Sequence, residues 1–219
     1  VRKFPAETFD ALVDFFDRMA QTAWLAALHR RLVSLTGDWG GKCVLDVGCG
    51  TGRLLLCGAA KTARMVGVDL SEKMVEKSRE NARMAGFADT TAFYVGDAVS
   101  LPFEASAFDL VLSACVMFLL PEPEKGMREM LRVAKTKGQI AMLNPGERMT
   151  EEAAAAYIER HQLAAFEKEA LQQWAKVAVR RHRYSESGLT ALLNRMGAEG
   201  VIHYPAMDGL ALITLAYKA

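Results

Sequence analysis

With 219 residues, 51% of them hydrophobic, the chain has material for one domain with a substantial core, and its composition excludes a disordered one. Its 27 basic and 26 acidic residues leave a net charge of +1, which removes any electrostatic case for nucleic acid as the main partner. No apolar run reaches the roughly 18–20 residues of a membrane-spanning helix and no charged-then-apolar signal segment opens the chain; the four cysteines fit a reducing cytoplasm, and a cytoplasmic protein is expected.

Residues 5–36 read as helix. Phe9, Leu12, Val13, Phe16, Met19 and Ala20, then Trp24, Leu25, Leu28, Leu32 and Leu35, recur at three- and four-residue steps, and Gly37 ends the run. The wide aromatic stripe either packs on the rest of the domain or lines a ligand pocket, and it is also a candidate oligomer interface. A first strand over 42–47 runs into Gly48-Cys49-Gly50-Thr51-Gly52, which feeds a helix from Arg53 to Thr62. Arg64–Asp69 is a second strand. Ser71 caps a helix through Ala85 that Gly86 stops. Ala92–Gly96 is a third strand ending at Asp97, and Phe108–Ser113 a fourth. Pro123 opens a helix to Ala134, and Gln139–Leu143 is a fifth strand. Residues 147–183 carry many charges and no strand pattern, and read as one or two inserted helices. Ser185–Met196 is a last helix. Val201–Tyr204 and Leu210–Tyr217 are two strands joined by a turn at Asp208-Gly209. Short apolar strands alternating with helices predict an α/β, doubly wound parallel sheet in a single domain spanning 1–219.

A strand, a glycine turn and a helix form the unit that binds nucleotides at the carboxyl ends of strands. Asp69 ends the second strand, where a carboxylate accepts hydrogen bonds from a ribose diol. Asp46 stands just before the loop. A carboxylate there is unfavourable beside a pyrophosphate and favourable beside an ammonium or sulfonium. Asp97 is placed to accept from an adenine amino group. Three acids at three neighbouring strand ends therefore suit a cationic adenosine. The four cysteines, Cys43, Cys49, Cys57 and Cys115, form no C-x-x-C pair and have no nearby His, so no metal site is expected and they read as small buried thiols.

Val44-Leu45-Asp46-Val47-Gly48-Cys49-Gly50-Thr51-Gly52, Gly67-Val68-Asp69-Leu70-Ser71, Gly96-Asp97-Ala98 with Leu101-Pro102-Phe103, and Phe108-Asp109-Leu110-Val111 together resemble the class I S-adenosylmethionine-dependent methyltransferases. The likeness is to the broad small-molecule branch that includes ubiquinone-biosynthesis-type enzymes. It covers residues 40–145 and, less closely, 185–219. It implies a Rossmann-like seven-stranded sheet, parallel with one antiparallel strand reached through the C-terminal hairpin. It also implies that Asp46 and the backbone of Gly48, Cys49, Gly50 and Gly52 hold the methionine part of S-adenosyl-L-methionine. Asp69 would bind the ribose with Leu70 flanking the adenine, Asp97 and Ala98 would meet the adenine ring, and Ser113 would lie below the transferred methyl.

The implied reaction is an in-line methyl transfer to a small-molecule acceptor. Two rival functions use the same loop: an NAD-dependent oxidoreductase, which Asp46 and Asp97 oppose, and a non-catalytic adenosine-ligand sensor or partner subunit. A base is needed only if the acceptor must lose a proton, and His29, His161, His182 and His203 are candidates by type. His182 lies in Arg180-Arg181-His182-Arg183-Tyr184, which reads either as an anion clamp or as a solvated basic helix end. The fourth strand leads into Ser113-Ala114-Cys115-Val116, not the Asn/Asp-Pro-Pro-aromatic motif of nucleic-acid amino methyltransferases. Asn144-Pro145-Gly146 follows the wrong strand for that motif. The N-terminal helical cover, 1–39, and the helical insertion or lid, 147–183, are expected to choose the substrate.

Overall fold

A computed structural model describes residues 2–59 and 63–219. The N-terminal region forms three helices where one was expected: α1 (Ala6–Asp10), α2 (Val13–Ala20) and α3 (Ala23–Thr36). The stripe continues across the breaks, but Thr22 interrupts the backbone. Its hydroxyl donates to the Met19 carbonyl (2.7 Å) and accepts from the Leu25 N–H, so it closes α2 and caps α3. After β1 (Cys43–Val47) comes a short α4 (Arg53–Cys57); the expected extension of this helix to Thr62 runs into 60–62, outside the described residues. Then follow β2 (Arg64–Asp69), α5 (Glu72–Met84), β3 (Thr91–Val95), β4 (Phe108–Ala114) and α6 (Pro123–Val133). Ser71 caps α5 as read, accepting from the Met74 N–H. β5 (Ala134–Pro145) begins earlier than the Gln139 start expected, because Gly138 lies inside a strand that already pairs with Phe108 at Ala134. The insertion supplies α7 (Glu151–Arg160) and α8 (Ala165–Val179), and the chain closes with α9 (Glu186–Arg195), β6 (Ala198–Ala206) and β7 (Ala211–Lys218).

The seven strands form one sheet in the order β3-β2-β1-β4-β5-β7-β6. β1 to β5 pair in parallel. β7 runs antiparallel to both β5 and β6, so it is the single reversed strand. Alternate residues of each central strand enter opposite cores. Val44, Leu110, Leu112, Ala141 and Leu143 pack with α3, α4, α5, α7 and α8. Leu45, Val111, Ile140 and Met142 pack with α6 and α9. Burial on both faces is why these strands read as nearly unbroken apolar runs. It also leaves their carboxyl ends as the place where a ligand can enter.

Candidate active site

The glycine loop turns at the end of β1 in the one backbone conformation that its neighbours permit. Gly48 has φ +73°, and a Cβ on it would lie 2.3 Å from Val116 Cγ2. Its N–H and that of Cys49 donate to the Val68 carbonyl at 2.7 and 3.0 Å, which pins the loop to β2. Gly52, with φ +79°, is the N-cap of α4 and lines neither of the two cavities described below.

The three acids stand at the carboxyl ends of β1, β2 and β3, in very different states. Asp46 is 2% exposed, and its Oδ1 has no hydrogen-bond partner among the described residues. Burial, with the nearby Asp69 carboxylate adding to it, pushes the Asp46 carboxyl up to about 8. Asp69 accepts from the Gly50 N–H (2.8 Å) through Oδ2 and from the Ser71 N–H (2.9 Å) through Oδ1. Burial raises its carboxyl despite the lowering pull of the Ser71, Gly50 and Leu70 N–H groups. Each oxygen keeps a second lone pair for another donor. Asp97 accepts from the Val99 N–H (3.2 Å) and is salt-bridged to Lys3 of the N-terminal segment.

Two adjoining cavities lie over these strand ends. The larger is about 470 Å³. Its floor is Asp46, Gly48 to Thr51, Asp69 and the Ala114–Val116 end of β4; its roof comes from α1, α2, α3 and α8, including Phe9, Phe16, His29 and Trp174. The smaller, about 90 Å³, is bounded by Lys3, Phe4, Leu70, Gly96, Asp97 and Ala98. The sequence therefore placed most of its candidates together: Asp46, Gly48, Cys49, Gly50 and Asp69 at the first cavity, Leu70, Asp97 and Ala98 at the second.

Besides Gly52, two candidates sit elsewhere. Ser113 lines neither cavity; it is 1% exposed and its hydroxyl donates to the Val47 carbonyl (3.0 Å), tying β4 to β1. Its successors Ala114 and Cys115 reach the cavity instead. Strand alternation decides this, since one residue along the strand changes the face. His182 also lines neither cavity, and its Nε2 is buried without a partner among the described residues. Of its basic neighbours, Arg180 and Arg183 are exposed, in keeping with a solvated helix end, whereas Arg181 is engaged by the protein. Arg181 lies 3.7 Å over the Phe4 ring and donates to the carbonyls of Leu119 and Arg2, while Arg183 donates to that of Met149 (2.9 Å).

Of the other histidines, His161 stacks on Tyr157 at the surface and His203 is held by Thr190 and Thr214. His29 alone of the four lines a cavity. All four cysteines are free; only Cys49 is buried outright and Cys57 is exposed, against the expectation of buried thiols throughout. Cys115 takes φ +60°, a strained conformation for a residue with a Cβ, and burial pushes its thiol up to about 12.

The stripe residues Phe9, Leu12, Phe16, Met19, Ala20 and Leu25 line the larger cavity, one of the two fates read for that stripe; the part of the roof that α8 supplies, Trp174 among it, was missed. Arg53 was missed too. It bridges floor to roof, donating to both Asp17 oxygens (2.9 and 2.8 Å), with Asn81 joining Asp17 to the Thr51 carbonyl. Burial raises the Asp17 carboxyl, but the hydrogen bonds from Arg53, Thr51 and Asn81 outweigh it and hold that group ionised.

The chain matches the family described as Methyltransferase domain over residues 40–186. Among curated relatives it is 32% identical to the demethylmenaquinone methyltransferase of Symbiobacterium thermophilum, over 64% of this chain and 59% of that protein. It is 27% identical to the ubiquinone/menaquinone biosynthesis C-methyltransferase UbiE of Escherichia fergusonii, over 97% of this chain and 87% of the relative. For most of the first relatives the match spans only about two fifths to three fifths of their length. Among solved structures, a SAM-dependent methyltransferase from Aquifex aeolicus superimposes with a TM-score of 0.67 at 20% identity, over 99% of this chain and 100% of that one, and so shares the fold. These likenesses lend no support to the nicotinamide-dependent or sensor readings. With the fold, the strand-end acids and the matched residues agreeing, the chain belongs to the class I S-adenosylmethionine-dependent methyltransferases.

Proposed function

We propose that the chain transfers the methyl group of S-adenosylmethionine to a small-molecule acceptor in the larger cavity, covered by the N-terminal helices and the 147–183 insertion. The observation that carries this reading is Asp46: a buried carboxylate with an unpartnered oxygen, on the floor of a cavity, at the strand end where a cationic ligand would pair with it. A buried acid without a partner is expensive, and a cation in the cavity removes the expense. In the same reading Asp69 receives the ribose hydroxyls on its free lone pairs. Leu70, Asp97 and Ala98 receive the adenine in the smaller cavity, once Lys3 gives up Asp97. The quinone-directed names of two relatives support an acceptor with an apolar, aromatic body, as do Phe9, Phe16 and Trp174.

When bound, S-adenosylmethionine supplies a methyl on a sulfonium, whose departure leaves a neutral thioether. The chain therefore has to align and exclude water, not form a covalent bond. Alignment alone is worth up to ~7–11 kcal/mol, and an apolar roof removes competing solvation. The cavity's two thiols, Cys49 and Cys115, are both held protonated by burial, so neither acts as a nucleophile. In this reading the apolar stripe of α1–α3 serves the cavity instead of self-association, and the free thiols fit a reducing cytoplasm. No described helix is long and apolar enough to cross a membrane.

The test is calorimetric titration with S-adenosylmethionine and S-adenosylhomocysteine, followed by a screen of cell extract with a labelled methyl donor. Binding with a labelled small-molecule product supports the proposal. NADH binding in place of either adenosine compound refutes it, and binding without any labelled product favours a sensor.

A further inference from the structure

The larger cavity extends beyond the strand ends assigned to the cofactor. β2 and β3, which carry Asp69 and Asp97, lie on one side of β1; β4 and β5 lie on the other. On that second side the wall is Ala114 and Cys115, with the Cys115 N–H donating to the Leu143 carbonyl of β5 (2.8 Å). The roof there is α3, which packs against β5, and Trp174 of α8, stacked on Trp24 at 5.6 Å. This is the room left for the acceptor.

His29, on α3, lines the larger cavity. It is 7% exposed, and no protein group among the described residues hydrogen-bonds its ring. Leu25, one turn earlier on the same helix, also lines the cavity. A polar ring facing the cavity, with no protein partner among the described residues, is open to a partner from a ligand. Burial holds the ring down to about 4, so it stays neutral and presents one donor and one acceptor instead of a charge.

The charges around the cavity restrict that ligand. Among the described lining residues the only cation is Arg53, and both its hydrogen-bonding edges toward Asp17 are occupied. The carboxylates Asp46, Asp69 and Glu169 also line it. With Asp46 and Asp69 given to the cofactor, an anionic acceptor would meet the Glu169 carboxylate and no free cation of the chain among the described lining residues.

We propose, resting on the methyltransferase reading, that His29 recognises the acceptor, and that the acceptor is an uncharged, largely apolar molecule bearing a hydroxyl or carbonyl that hydrogen-bonds its imidazole. The hydrogen bond fixes the acceptor's orientation at the β4–β5 end of the cavity. This makes His29 a specificity-determining residue, and the remaining apolar wall contributes affinity without selecting a functional group.

The test is equilibrium dialysis of the full chain saturated with S-adenosylhomocysteine against naphthol, methylnaphthalene and naphthoate, all α-substituted. The wild-type chain is expected to hold naphthol about tenfold more tightly than either of the others, the worth of one hydrogen bond. His29→Leu should bring naphthol down to the methylnaphthalene level while leaving methylnaphthalene unchanged, and His29→Gln should recover part of the preference. The inference is overturned if wild-type chain binds methylnaphthalene or naphthoate as well as naphthol, if it binds none of the three, or if the leucine variant keeps the preference. Failure of S-adenosylhomocysteine to bind would instead refute the methyltransferase reading itself.

Discussion

Asp46→Asn separates what this residue costs the protein from what it contributes to binding. Asparagine keeps the shape of aspartate and removes its ionisation. In the unliganded protein Asp46 holds its proton up to about 8, while the ordinary value for an unfolded aspartate is 3.8. A raised pKa in the native state means that stability is full below the unfolded value and declines as the pH climbs toward the folded one. Each pH unit in that window costs about 1.4 kcal/mol, so the loss at pH 7 reaches about 4 kcal/mol at most. The asparagine variant escapes this loss. Its melting temperature should match wild type near about pH 4 and exceed it by roughly 10–20 °C near about pH 8. Cofactor binding should move the other way. A cation can pair with Asp46 only after the carboxyl sheds its proton, so wild-type affinity should rise from about pH 6 to about pH 8 with release of a proton. The variant should lose about a hundredfold in affinity and the pH dependence with it. Scanning fluorimetry across pH, with calorimetry in two buffers of different ionisation enthalpy, reads both. An asparagine variant that binds within threefold of wild type, or gains no stability as the pH rises, would refute the argument.

Three further substitutions probe the rest of the floor. Asp69→Ala removes the acceptor of the Gly50 and Ser71 N–H groups as well as the proposed ribose contact, and should weaken S-adenosylmethionine about a hundredfold by calorimetry; an unchanged affinity would sink the cofactor assignment. Lys3→Ala frees Asp97 for the adenine and should tighten binding roughly threefold, whereas weaker binding would mean that Lys3 itself touches the ligand. Gly48→Ala places a methyl against Val116 at a positive φ and should cost about 1–3 kcal/mol of stability in urea denaturation along with cofactor binding; wild-type behaviour would show that Val116 can give way.

The floor of the site was legible because it is encoded locally. A strand, a positive-φ turn and an acid at the next strand end each leave a mark within a few residues, and the sheet then brings those ends together by topology. Ser113 fails the same logic by one position: β4 runs on through Ala114, and the face exposed to the cavity changes at each step. The roof was legible only in part, because it is built by meetings across long stretches of chain. Phe15 meets Phe166, Trp24 meets Trp174, and the Ala23 N–H donates to Glu167. A helical stripe reports that one face is apolar; it does not report that α2 and α3 share that face with α8. His29 was visible by residue type alone, since its distinction comes from the walls around it. The breaks in the N-terminal helix depend on hydroxyl and turn geometry at Thr22 and Leu12, which a strong apolar period overrides in a sequence reading.

The same roof divides into a fixed part and a looser one, and this division yields the last prediction. α3 is rooted in the core through Leu28 and Leu32, 3% and 0% exposed. α1 has no buried residue, and α2 buries only Asp17 and Met19. What holds α1 is largely polar and peripheral: the Ser71 hydroxyl to Asp10 (2.5 Å), with Lys3 on Asp97 and Phe4 beneath Arg181 just before it. Segments with little buried apolar area open at low free energy, well below global unfolding. A ligand reaching Asp46 through α1 and α2 therefore needs no rearrangement of α3, and His29 stays in place while the entrance opens. Amide hydrogen exchange should show α1 unprotected and α3 strongly protected in the free protein. S-adenosylhomocysteine should slow exchange in α1 and α2 and leave α3 unchanged. If α3 exchanged as fast as α1, or gained the larger protection on binding, the fixed wall that carries His29 would not exist and the acceptor site would have to form only with its ligand.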